Sequence, residues 1–133
     1  MIRKAKSKSR RRRSPLIRFS AKLLFQFRVV VDGDSGTRRL CEERMLVLRA
    51  RGAKAALAEA KRRGKAGQHT YKNSDGNSVH FEFVGVLDLL ELGISCEKDE
   101  VWYDIVQRVR PMERKDLVLP PEKELNAIYW LTA

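Results

Sequence analysis

Ile17-Arg18-Phe19-Ser20-Ala21-Lys22-Leu23-Leu24-Phe25-Gln26-Phe27-Arg28-Val29-Val30-Val31 alternates in character almost residue by residue. Phe19, Ala21, Leu23, Phe25, Phe27, Val29 and Val31 fall on one face of an extended chain, with Arg18, Ser20, Lys22, Gln26 and Arg28 mostly on the other. Successive side chains of a strand point to opposite faces, so this period of two predicts a long strand, half in a core and half toward solvent. Asp32, Gly33, Asp34, Ser35 and Gly36 then supply turn chemistry, and a second apolar run from Leu40 to Ala50 follows. The two segments are expected to pair as an antiparallel hairpin.

Beyond Gly52 the period changes. Ala53, Ala56, Leu57 and Ala60 recur at helical spacing, with Lys54, Glu59, Lys61 and Arg62 outside and Gly64 or Gly67 as the stop, which predicts a helix of about 12 residues. A helix that short needs a sheet to dock on. Asp75-Gly76 is a two-residue turn signal between Tyr71 on one side and Val79, Phe81 and Phe83 on the other, so a second hairpin is expected there. Gly85 interrupts the alternation that Val86 to Leu92 resumes, as a bulge or bend would. A further strand or short helix is expected around Val101 to Val109. After Pro120-Pro121, where Pro121 fits a first helical turn, Leu125, Ile128 and Tyr129 follow at helical spacing. The reading is an α+β fold: an antiparallel curved sheet in β-β-α-β-β order, with helical cover on one face and a short C-terminal helix. Three regions are expected: a basic arm over 1–15, one domain over 16–110, and a linker with its helix over 111–133.

Charge separates the arm from the rest. Eleven Lys and Arg occupy the first 28 residues, no acid appears before Asp32, and the remaining 17 Lys and Arg balance 17 Asp and Glu. The formal charge of +11 therefore describes a basic arm on a neutral body. Arg3, Lys4, Lys6, Lys8, Arg10, Arg11, Arg12 and Arg13 are its candidate contacts to polyanions such as DNA or RNA. A solubilising extension, or a product of an upstream start site, accounts for the arm equally well. The segment from Ser14 to Val31 is interrupted by Arg18, Lys22, Gln26 and Arg28, so it reads neither as an export signal nor as a membrane span. Cys41 and Cys96 belong to no ligand pattern and read as reduced thiols, which suits a cytoplasmic protein.

Catalytic motifs are sparse: there is no glycine-rich phosphate loop, no GxSxG and no HExxH. With Asp75-Gly76 as a two-residue turn, His69 faces Glu82 and Tyr71 faces His80, so His69, Tyr71, His80 and Glu82 would share one sheet face. Two imidazoles and a carboxylate suit metal ligation or proton transfer, although a hydrated outer face opposite Phe81 and Phe83 explains the same residues. A slip of one residue in the turn would dissolve the group. Glu42 and Arg44 share a strand face, as an exposed ion pair or as partners of the basic face of the first strand. Asp88 and Glu91 lie among apolar neighbours, where an acid is either perturbed or caps backbone donors. Trp102, Tyr103, Tyr129 and Trp130 suit either core packing or contact with a partner.

Phe19-Ser20-Ala21-Lys22-Leu23-Leu24-Phe25, Cys41-Glu42-Glu43-Arg44, Tyr71-Lys72-Asn73-Ser74-Asp75-Gly76, Phe83-Val84-Gly85-Val86-Leu87-Asp88 and Glu91-Leu92-Gly93 follow in order. Over about residues 18 to 106 this succession resembles a bacterial family of small proteins catalogued as domain of unknown function number 4288. The resemblance implies one compact domain and transfers no catalytic residue, cofactor or partner. The arm and the terminal segment lie outside it. The expected function is a protein-interaction module, as a homo-oligomer or with another protein, through candidate residues Leu125, Ile128, Tyr129 and Trp130, with weak nonspecific nucleic-acid contact through the arm. The alternatives are a nucleic-acid-associated protein, and a small enzyme or metal-binding protein that uses the His69, His80 and Glu82 face. No cofactor, metal, small-molecule ligand or membrane is expected.

Overall fold

A computed structural model describes residues 15–93 and 99–132. The arm contacts from Arg3 to Arg13, and Cys96, lie outside the described residues. The chain divides into two units, within Met1–Tyr103 and within Asp104–Ala133.

In the first unit, β1 (Ile17–Val30), β2 (Leu40–Ala50), α1 (Ala53–Ala66), β3 (His69–Lys72) and β4 (Ser78–Gly93) form one curled antiparallel sheet with a helix on it. The spatial order is β2-β1-β4-β3, so the alternating stretch quoted above is an interior strand, paired on both sides. Its partners bury Phe19, Ala21, Leu23 and Phe25 almost completely beneath the helix. Leu48 and Ala50 of β2 and Phe81 of β4 complete that core with Ala56 and Ala60 of α1. Val31 and Asp34 exchange both backbone hydrogen bonds around Asp32 and Gly33, and this tight turn begins the excursion between β1 and β2.

The helix runs two residues beyond the expected twelve and stops at Gly67, whose N–H caps the carbonyls of Arg63 and Gly64. Gly64 is not a stop. It is where the helix meets the sheet most closely: a Cβ there would lie 2.4 Å from the Phe83 ring. Small residues at 56, 60 and 64 thus set one stripe of α1 against the aromatic floor.

The expected irregularity at Gly85 is present, and it is one of several. The β1–β4 register shifts between Leu24 and Phe25, between Lys22 and Leu23, and between Arg18 and Phe19. Each shift adds one residue to β4, at Val84, Leu87 and Leu92, and bends the strand.

The second face of the sheet is polar and partly covered. Ser20 is fully buried and Arg18 nearly so, with Arg18 Nη2 donating to the Glu100 carbonyl at 2.9 Å and Lys22 Nζ lying 5.0 Å from the Trp102 ring centre. Residues 101–107 form no regular element, so the strand or helix expected around Val101 to Val109 is absent. In the second unit, α2 (Lys115–Val118) precedes a 3-10 turn over Glu122–Glu124 and α3 (Asn126–Thr132). The terminal helix is shorter than its apolar spacing implied, because Leu125 is extended (ψ 134°) and separates the two pieces. Pro121 stands before the 3-10 turn, where its missing N–H costs nothing.

Candidate functional site

The hairpin between β3 and β4 decides which polar residues meet. Asn73 Oδ1 accepts from the N–H groups of both Asp75 and Asn77, at 3.0 and 2.9 Å, and Gly76 N donates to the Asn73 carbonyl. Gly76 takes the left-handed conformation (φ 81°) that closes such a turn. The connection thereby holds one residue more than a two-residue turn. The register is His69 with Phe81, Thr70 with His80, and Tyr71 with Val79.

The grouping of His69, Tyr71, His80 and Glu82 on one face is therefore corrected: the slip sends His69 and Tyr71 to the helix side and leaves His80 and Glu82 on the second face. His69 lies 5.1 Å from the Phe81 ring and 5.8 Å from Tyr71, and His69 and Tyr71 are both exposed at the sheet edge beside the aromatic end of the core. Three of the four, His69, His80 and Glu82, line with Gln68, Thr70 and Phe81 an open depression of about 300 Å³ across the sheet edge, and Tyr71 is not among its lining residues. Among the described residues no three His, Cys, Asp or Glu side chains converge on a point where an ion could sit.

Glu82 anchors a network instead. Arg28 donates to it from Nε and Nη2 at 2.9 Å each, Gln26 Nε2 donates at 2.9 Å, and Arg39 Nη1 donates to Gln26 Oε1 at 3.1 Å. Arg28 Nη1 also reaches Ser35 Oγ, so the network ties the first hairpin excursion to β4. Hydrogen bonds from Arg28 and then Gln26 hold the Glu82 carboxyl down to about 2, and those from Arg62 and Arg63 do the same for Glu59. A carboxylate so held is a poor base at neutral pH. His80 meets Thr70 Oγ1 through Nδ1 at 3.0 Å.

Because both folded-state values lie below the ordinary 4.5, the stability these carboxylates contribute is complete above that pH and is lost as pH falls toward 2. Melting temperature is accordingly expected to fall across this window. Glu82→Gln should flatten part of the fall; equal slopes in the two proteins would show that the network carries no linkage to acid.

Glu42 and Arg44 pair with each other at 2.6 Å, on the helix-covered face and not with the basic face of β1. Arg44 lies over the rings of Phe25 and Phe81, at 4.7 and 5.6 Å, and covers the aromatic end of the core. Nothing in the sequence beyond strand parity marked that role. Asp88 Oδ1 accepts from Leu89 N and is exposed, as is Glu91, so neither is desolvated. Cys41 is a free, exposed thiol.

The expected partner-binding residues Leu125, Ile128, Tyr129 and Trp130 are all exposed, Trp130 at 66%. Tyr129 and Trp130 meet edge to face at 5.3 Å. No described helix is long and apolar enough to cross a membrane.

Residues 18–102 match the family model described as Domain of unknown function (DUF4288), and the chain belongs to that family. No curated protein and no solved structure matches the chain.

Proposed function

We propose, from this membership and from the surfaces the fold leaves uncovered, that the protein is an interaction module whose terminal segment binds a protein partner. The observation that carries the reading is the apolar exposure of that segment: Leu117, Leu119, Leu125, Ile128, Tyr129, Trp130 and Leu131 all face solvent in the single chain. Large apolar side chains left open in water along one segment are a usual sign of a surface that a partner covers. Large aromatics beside leucine and isoleucine are also the residue types that anchor such contacts. The first unit buries its own core without them. The basic arm adds a weak, sequence-independent contact to polyanions.

Sedimentation and thermal melting of the full chain and of a chain ending at Pro121 test the reading. The full chain is expected to associate, and the shortened one to associate less while melting at the same temperature. A full-length monomer whose shortening lowers the melting temperature would assign the segment to the chain's own stability and overturn the proposal.

A further inference from the structure

We infer that β2 is the edge through which two copies of this chain join their sheets, antiparallel about a two-fold axis at Leu46. The inference rests on the reading of the chain as an interaction module and names one partner, a second copy.

The four-stranded sheet has two outer strands, and among the described residues β4 has no partner beyond the reach of β3. The edges differ. The outer side of β4 past Phe83 belongs to a strand with three register shifts, and bulges of this kind twist an edge away from pairing. Its first free position is already used: Phe83 N donates to Gln68 Oε1 at 3.0 Å. β3 has four residues. β2 has eleven, and its register to β1 runs from Leu40 to Ala50 without a shift. A long, regular edge with no partner strand among the described residues is the kind that accepts another strand.

Its sequence selects the occupant. On the second face β2 presents Cys41, Glu43, Met45, Val47 and Arg49, all exposed. With the two-fold axis at Leu46, Glu43 stands opposite Arg49 of the second copy and Met45 opposite its Val47, and symmetry repeats each pair. Moving the axis to Met45 sets Glu43 against Val47 and Cys41 against Arg49; moving it to Val47 sets Met45 against Arg49. A displacement of one residue sets the helix-covered face of one copy beside the second face of the other. On the second face only the Leu46 axis matches charge with charge and apolar with apolar, while on the helix side it sets Arg44, already paired with Glu42 of its own strand, opposite Leu48.

A second observation points the same way. Arg49 is registered opposite Arg18 of β1, a like-charge cross-strand pair, and neither Glu43 nor Arg49 is in an ion pair among the described residues. The second copy's Glu43 would stand on the outer side of Arg49 and give it a carboxylate partner. On the helix side the same axis sets Leu46 against Leu46. Both helices then lie on one side of a continuous sheet.

Charge reversal in the full chain tests this. Glu43→Arg and Arg49→Glu each place like charges opposite one another twice, and each is expected to weaken dimerisation roughly tenfold, with the double variant restoring it. Circular dichroism and melting of each variant establish that it folds. If the full chain is monomeric, or if association ignores the single variants, or if the double variant does not restore it, the edge is not the interface. Association that ignores these variants and disappears on shortening to Pro121 overturns this inference and sustains the interaction reading. Loss with the single variants and recovery in the double supports the edge, even where shortening has no effect.

Discussion

Phe25→Ala is expected to lower the melting temperature by at least about 12 °C, because it removes the ring on which the core's second half is assembled. Phe25 is 1% exposed and stacks on Phe81 with ring centres 4.7 Å apart and planes within 10°. Phe83 meets it at a tilt with centres 5.6 Å apart, and Arg44 caps it from the side open to water. Truncating a buried Phe costs about 3–5 kcal/mol, against a total of about 5–15 kcal/mol for an ordinary domain. The stack and the guanidinium add to what is lost, because both need the ring and not merely its volume. Phe25→Leu, which keeps most of the apolar volume, should therefore fall between alanine and the parent. A shift of only a few degrees in the alanine variant would show that β1 and β4 are held by something other than this stack.

How much of this was legible in the sequence depends on which interactions are local. The alternation over residues 17–31 needs only the geometry of a strand, and the structure puts Phe19, Ala21, Leu23 and Phe25 in the core as that alternation requires. The bend at Gly85 was legible for the same reason, since a broken period is visible without knowing the partner strand. The register of the second hairpin was not. Asp75-Gly76 has the composition of a two-residue turn, but Asn73 offers its side-chain oxygen to two backbone donors and draws a longer loop around itself. One additional residue then moved His69 and Tyr71 across the sheet and dispersed the candidate site. The position of Arg44 over two phenyl rings was out of reach too, because those rings come from strands at sequence distances that spacing alone does not relate. The choice between Gly64 and Gly67 as the helix stop was not legible for a related reason: both have the composition of a stop, and only the approach of Phe83 shows Gly64 to be a point of close packing, with Gly67 as the cap.

Deleting residues 1–15 is expected to abolish binding to DNA and RNA, while leaving the fold unchanged. Eight Lys and Arg within 13 residues can each displace a condensed counterion from a phosphate backbone. With six to eight engaged on duplex DNA, the affinity should fall with salt at a logarithmic slope of roughly −5 to −7. A fourfold rise in salt then weakens binding by about 10³ or more, so contact is appreciable only at low ionic strength. The cations of β1 offer little to replace the arm, and α1 carries Lys54, Lys61, Arg62, Arg63 and Lys65 against Glu59 alone, so binding by the shortened chain would point to that helix. Of the cations on β1, Arg28 is committed to Glu82, Arg18 to the Glu100 carbonyl, and Lys22 lies over Trp102. The deletion removes no residue of β1, which begins at Ile17, so a change in melting temperature is not expected. The measurement is titration of labelled duplexes of two unrelated sequences at several salt concentrations, with the full and shortened chains. Binding by the shortened chain, or a preference between the duplexes that persists at moderate salt, would make the folded unit the reader of nucleic acid, and the separation of a basic arm from a neutral interaction module would have to be abandoned.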